Sequence, residues 1–326
     1  MPQHSKSPGG SSAQFFLVLV ASTFLMGSSF VSGKILLNQG FSAMLLVGWR
    51  FLVAALATLP LIFLDNRSLF HALLPDGLSL KDASLIIVIG FLQTTAVMGL
   101  LFIAMRTVSA STAAILLFTN PIWVAVLSRL FLGEALSAGR IVGLLLGIVG
   151  VVLAIGLTSG AGTTAPGALT GELVGLGSAL CWAAATIVNK RANLRMGSWA
   201  LSFWQMLIGS IVILAIAYGS GEHWPTTTTP AQWGWFFWLA VPASTWSFGL
   251  WFVALKQGGA TKTSGYLFLA PLFTVVLSYF ILGTSLTWMQ AAGGVLIGLA
   301  LWLVNKEAPA GSKKEAVRRA LAEGDA

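Results

Sequence analysis

The chain has 326 residues, 56% of them apolar and 9% charged, with a mean hydropathy of +0.87. An ordinary soluble domain carries about 25% charged residues, so lipid is the solvent for most of this chain and a soluble enzyme is excluded. The net charge of +8 does not mark a nucleic-acid surface, because the basic residues sit between and after apolar runs, not in one patch. The single cysteine, Cys181, cannot form an intramolecular disulfide.

The first dozen residues are polar, with Lys6 their only charged side chain. The apolar run from about Ala13 to Val31 is long for a signal-peptide core and lacks a small-x-small cleavage site, so it reads as a retained first span. A helix needs about 20 residues to cross a hydrocarbon layer of about 30 Å. Ten such runs occur, near 13–35, 42–64, 82–104, 108–130, 138–158, 169–191, 198–219, 231–255, 262–282 and 287–304. Backbone groups in lipid must be satisfied within each segment, which predicts an all-α polytopic membrane protein.

The basic residues set the orientation. With the N-terminus in the cytoplasm, 15 of the 18 Lys and Arg fall on the inner side, Lys34 and Arg106 fall on the outer side, and Arg50 lies inside span 2. Both termini are therefore expected in the cytoplasm of a cell whose inner membrane holds the protein.

Residues 104–150 line up with residues 254–300 at a constant offset of 150. Phe118-Thr119-Asn120-Pro121 falls over Phe268-Leu269-Ala270-Pro271, and Leu132-Gly133 over Leu282-Gly283. The match continues with small shifts, Lys34 over Lys190 and Trp49-Arg50 over Trp204-Gln205. Five spans per half is an odd number, so equivalent helices cross in opposite directions and the halves are inverted repeats. The expected organisation is a cytoplasmic tail (1–12), a first five-helix repeat (13–158), a linker (159–168), a second repeat (169–305) and a basic tail (306–326).

Polar groups interrupt the lipid-like pattern at matched depths. Gln93-Thr94-Thr95 in span 3 corresponds to Ala243-Ser244-Thr245 in span 8, next to Trp246. Midplane polar groups are costly unless they meet a partner or a water-filled cavity, and interhelical hydrogen bonding is the competing use. Span 6 carries Ser178, Trp182, Thr186, Asn189 and Asn193 along one helical face, matched in span 1 by Ser22, Met26, Ser29 and Gly33. Pro121 and Pro271 occupy equivalent places in spans 4 and 9, where each acts as a gating hinge or a static bend. Asn120 and Trp123 face one way on span 4, and Tyr266 flanks Pro271 on span 9. Gly143 with Gly147, and Gly294 with Gly298, form small-residue stripes for close helix packing, within one copy or between two. Arg50 lies about 12 Å along its helix at 1.5 Å per residue, placed for an anionic carboxylate or for helix-end carbonyls.

No carboxylate or histidine falls at the midplane, and no catalytic, metal-binding, phosphate-loop or dinucleotide motif is present. That disfavours an enzyme, any metal or cofactor, and obligate proton exchange through a central acid.

Ten spans in two inverted halves resemble the drug/metabolite transporter superfamily, specifically its EamA-type exporters. Met26-Gly27-Ser28-Ser29-Phe30 followed by Lys34, Trp49-Arg50-Phe51, and the Pro121–Gly133 and Pro271–Gly283 segments carry the resemblance over residues 13–305. In character the chain is closest to the tryptophan-rich amino-acid exporters of the YddG type. The resemblance implies alternating-access export of amino acids, aromatic or other apolar ones included, and of related metabolites. The expected binding set is Arg50, Gln93, Thr94, Asn120, Trp123, Trp182, Thr186, Ser244, Trp246 and Tyr266. Expected partners are a small-molecule solute and the bilayer, with no nucleic acid; one copy suffices, and a homodimer is compatible with the glycine stripes. The rival readings are a multidrug exporter, an organic-anion or sugar-phosphate carrier, and a non-transporting membrane scaffold.

Overall fold

The computed structural model describes residues 12–306 except 66–67, 76, 134–137, 156–166, 193, 195, 252, 255–265, 268 and 285. Both terminal tails, most of the 159–168 linker, Asn193 and Phe268 lie outside the described residues. The helices are α1 (Ser12–Asn38), α2 (Ala43–Asp65), a short α3 (Leu69–Leu73), α4 (Leu80–Ala104), α5 (Ala110–Leu117), α6 (Asn120–Leu132), α7 (Ala138–Ile155), α8 (Ala168–Ala192), α9 (Ser198–Gly219), α10 (Pro230–Ala240, continuing through Val241–Trp246), α11 (Leu269–Leu282) and α12 (Trp288–Lys306). The described residues form helices and short connections only.

Among the described residues, six helical segments are long and apolar enough to cross a membrane: Ala13–Asn38, Ala43–Leu64, Leu80–Ala104, Ala110–Leu132, Ala168–Ala192 and Ser198–Gly219. Shorter apolar helices lie at Ile141–Gly150, Leu269–Leu282 and Trp288–Ala300. Large apolar side chains such as Leu64, Phe280 and Trp288 stand on the outside, which suits lipid and not water.

Local signals recur at the 150-residue offset. Ser79 and Asp82 form a capping box that starts α4, and Thr229 and Gln232 form one that starts α10. Each helix then widens into a π-helical turn, Phe91–Ala96 and Val241–Trp246. Gly133 (φ 67°) and Gly283 (φ 64°) end α6 and follow α11 in the left-handed region that glycine tolerates best.

Packing repeats the symmetry. α2 lies against α9, and α7 against α12, so each of these pairs joins equivalent helices of the two halves. α1 packs on α10 and α11, while α8 packs on α4 and on α5–α6. Thr95 Oγ1 in the first π turn donates to Gly209 O of α9 at 3.1 Å, and Thr245 Oγ1 in the second donates to Ala54 O of α2 at 3.0 Å. These are the same bond made twice, once from each half.

The glycine stripe of α7 meets α12 inside the molecule. A Cβ at Gly147 would overlap Ile122 Cδ1 and approach Ala300, and one at Gly150 would lie 2.9 Å from Gly293 O. On α12, Gly294 faces Ile115 while Gly298 faces open space. Gly143 is buried on the same helix as Gly147.

Candidate functional site

A cavity of about 730 Å³, its open mouth included, lies among α1, α2, α4, α5, α8 and α10, with Leu267 ahead of α11 at its edge. Its wall is mainly aromatic and sulfur-bearing: Phe30 and Met26 from α1, Met98 and Phe102 from α4, Trp182 from α8, and Phe248 and Trp251 beyond the second π turn. Phe118, at the end of α5, meets Trp182 edge-on with centroids 6.0 Å apart. The polar groups on the wall are Ser29, Arg50, Gln93 and Ser247.

Arg50 is the charged group of this wall and is only 4% exposed. Its Nε donates to Ser244 Oγ at 2.8 Å, and that hydroxyl donates onward to Leu239 O at 2.8 Å. Leu239 lies two residues before the π turn that carries Ser244, so the chain of bonds from Arg50 runs into the backbone of α10. The rings of Phe51 and Phe102 face Arg50 Cζ at 4.7 and 5.6 Å, a cation–π arrangement that partly compensates the lost hydration. Among the described residues no carboxylate pairs with Arg50 and no group accepts from its Nη nitrogens.

Of the residues expected to bind solute, Arg50, Gln93 and Trp182 come together on the cavity wall, and Ser244 stands behind Arg50. The Gln93 side chain makes no hydrogen bond to any described residue. The others are placed elsewhere. Thr94 is wedged against α9, where a Cβ at Gly209 would overlap it. Asn120 is buried and its Nδ2 reaches Ala179 O of α8 at 3.4 Å. Trp123 Nε1 donates to Thr119 Oγ1 at 3.2 Å, and Thr186 Oγ1 to Trp182 O at 2.9 Å. Trp246 is 54% exposed and does not line the cavity. Tyr266 packs edge-on against Phe16 near the start of α1.

The prolines begin helices. Pro121 is the second residue of α6, after a break at Phe118-Thr119, and Pro271 is the third residue of α11. A first-turn proline loses no intrahelical bond, so the discontinuity of Ala110–Leu132 belongs to the break that precedes Pro121. Lys34 ties helix ends together, its Nζ donating to Met105 O at 2.5 Å and Val108 O at 2.9 Å.

The aromatic wall of Phe30, Phe102, Phe118 and Phe248 has no signature in the sequence, because a phenylalanine facing lipid and one facing a cavity read alike. Only the adjacency of Phe118 to Asn120-Pro121 hints at a special place.

The EamA-like transporter family model matches residues 14–156 and again 169–306. The chain belongs to the EamA-like transporter family. It is 31% identical over 281 residues to the uncharacterized transporter YvbV of Bacillus subtilis, covering 81% of this chain and 88% of that one. It is 25% identical over 290 residues to an uncharacterized transporter of Archaeoglobus fulgidus, covering 88% and 96%. A solved crystal structure of 16% identity superposes with a TM-score of 0.62 over 90% of this chain and 96% of that one, which shows the shared fold. This family member is a multi-pass membrane transporter of small molecules in the drug/metabolite superfamily and not an enzyme, so a non-transporting scaffold is set aside.

Proposed function

We propose that this transporter exports small organic solutes that combine a carboxylate with an apolar or aromatic body, amino acids with such side chains among them. The observation that carries the reading is Arg50, a buried cation with no acidic partner among the described residues and with free Nη groups beside an aromatic cavity. An unpaired buried charge is costly. A solute carboxylate relieves that cost through charge-assisted, two-point hydrogen bonding, while Trp182, Phe118 and Phe102 take the apolar part.

Alternating access moves the solute. The two halves rock about the cavity, with the break before Pro121 and the start of α11 at Pro271 as hinges. No acid lines the cavity among the described residues, so flux follows the solute gradient. The protein works in the cell's inner membrane with both termini in the cytoplasm, an orientation that the 15-to-2 distribution of Lys and Arg supports. Sugar phosphates fit less well, since a dianion needs more than one cation, and cationic drugs are repelled by Arg50.

Counterflow of labelled amino acids into proteoliposomes loaded with the same solute, without a proton gradient, tests this. Saturable exchange of aromatic or branched amino acids is expected. No saturable exchange over a broad panel of carboxylate solutes rejects it.

A further inference from the structure

Charge balance at the cavity separates two kinds of carboxylate solute. Arg50 supplies one positive charge, and none of the lining residues is acidic. The described acids lie elsewhere: Asp65 ends α2, Asp82 caps α4, Glu172 sits in the second turn of α8, and Glu222 contacts Ser42 ahead of α2. A zwitterionic amino acid brings its own ammonium with its carboxylate, so the occupied cavity keeps a net charge of one in a low-dielectric space. A monocarboxylate with the same apolar body leaves it neutral.

The other polar groups on the wall, Ser29, Gln93 and Ser247, are neutral. An ammonium has three donors to satisfy. The Ser29 hydroxyl donates to Met26 O at 2.7 Å, and that of Ser247 to Ala243 O or Ser244 O at 3.0 and 2.9 Å, so both oxygens keep lone pairs that can accept. With the Gln93 carbonyl they can accept from an ammonium, but none carries the negative charge that would offset its repulsion from Arg50. The guanidinium, by contrast, has Nε occupied by Ser244 and its ring-facing sides covered by Phe51 and Phe102. Its Nη edge is left for the two oxygens of a carboxylate.

We propose that the cavity is a monocarboxylate site that takes aromatic or branched carboxylic acids lacking an α-ammonium in preference to the matching amino acids. This rests on the cavity being the solute site and narrows the substrate class. An ammonium a few ångströms from the guanidinium meets a like charge, so a selectivity of at least about tenfold follows once that opposing contribution is removed.

The test is binding to the full-length protein in nanodiscs, which avoids passive leakage of weak acids. Calorimetric titrations with 3-phenylpropionate, L-phenylalanine and phenethylamine give three dissociation constants. The expected order is 3-phenylpropionate tightest, by at least about tenfold over phenylalanine, with phenethylamine weakest. Arg50→Gln removes the difference and Arg50→Lys keeps its direction. Gln93→Glu supplies the missing acid and shifts preference toward phenylalanine, which gives a second readout if the Arg50→Gln protein does not fold. Phenylalanine binding as tightly as 3-phenylpropionate, or more tightly, overturns the monocarboxylate assignment and leaves the exporter reading standing. If phenethylamine binds and neither carboxylate does, both fall.

Discussion

The two π-helical turns hold the same backbone position in the two halves, yet they serve different chemistry. Around the turn in α4, Thr94 meets the bare backbone of Gly209 and Thr95 bonds its carbonyl. Around the turn in α10, Thr245 makes the equivalent bond to Ala54, but Ser244 accepts from Arg50. At the position equivalent to Arg50 the second half has Gln205. Backbone register, capping and interhelical bonds are thus duplicated, while Arg50 has only an uncharged counterpart. The fold lives in what the halves share, and the candidate site lives in where they differ.

The sharpest way to break that contrast is to remove the charge. Arg50→Gln is expected to lower carboxylate flux at least tenfold in proteoliposomes, with the protein still monodisperse in detergent; unchanged flux would leave the asymmetry without a role. Next in size is Ser244→Ala, which takes away the acceptor of Arg50 Nε. Hydrogen bonds to charged groups are worth about 1.5–3 kcal/mol, so a fall in thermal stability together with weaker solute binding is expected. Gly209→Ala probes the other side. Its methyl would overlap Thr94 Cβ and sit 2.9 Å from Gly90 O, a cost of about 1–3 kcal/mol from overpacking, read as a lower melting temperature with solute preference unaltered. The smallest effect is the most exacting test of symmetry. Thr95→Val and Thr245→Val should each cost about 0.6 kcal/mol, the average for such bonds between membrane helices. Clearly unequal losses would show that the two bonds are not structural equivalents.

Much of the fold is legible in the sequence because lipid imposes one simple code. Apolar runs of spanning length must be helical, and the offset that aligns Pro121 with Pro271 also aligns the capping boxes and the π turns. The site is less legible, for two physical reasons. A π turn inserts a residue, and one residue turns a helix by about 100°, so faces extrapolated through residues 91–96 or 241–246 at ordinary helical spacing point the wrong way; Trp246 is read as inward and lies outward. Polar residues such as Asn120, Thr94 and Thr186 mark a special place, but a single strand of text does not say whether a helix backbone or a cavity receives them. Arg50, Gln93 and Trp182 were readable because a buried charge, a midplane amide and an indole on a polar stripe each demand a partner.

The central claim is that solute occupies the cavity beside Arg50. Replacing Gln93 with Cys in a Cys181→Ala background puts one thiol on its wall, and the rate of maleimide labelling in membranes reports access to it. Labelling is expected to slow in proportion to occupancy when 3-phenylpropionate or L-phenylalanine is added. Labelling unaffected by either solute, in protein that still transports, would place the route elsewhere.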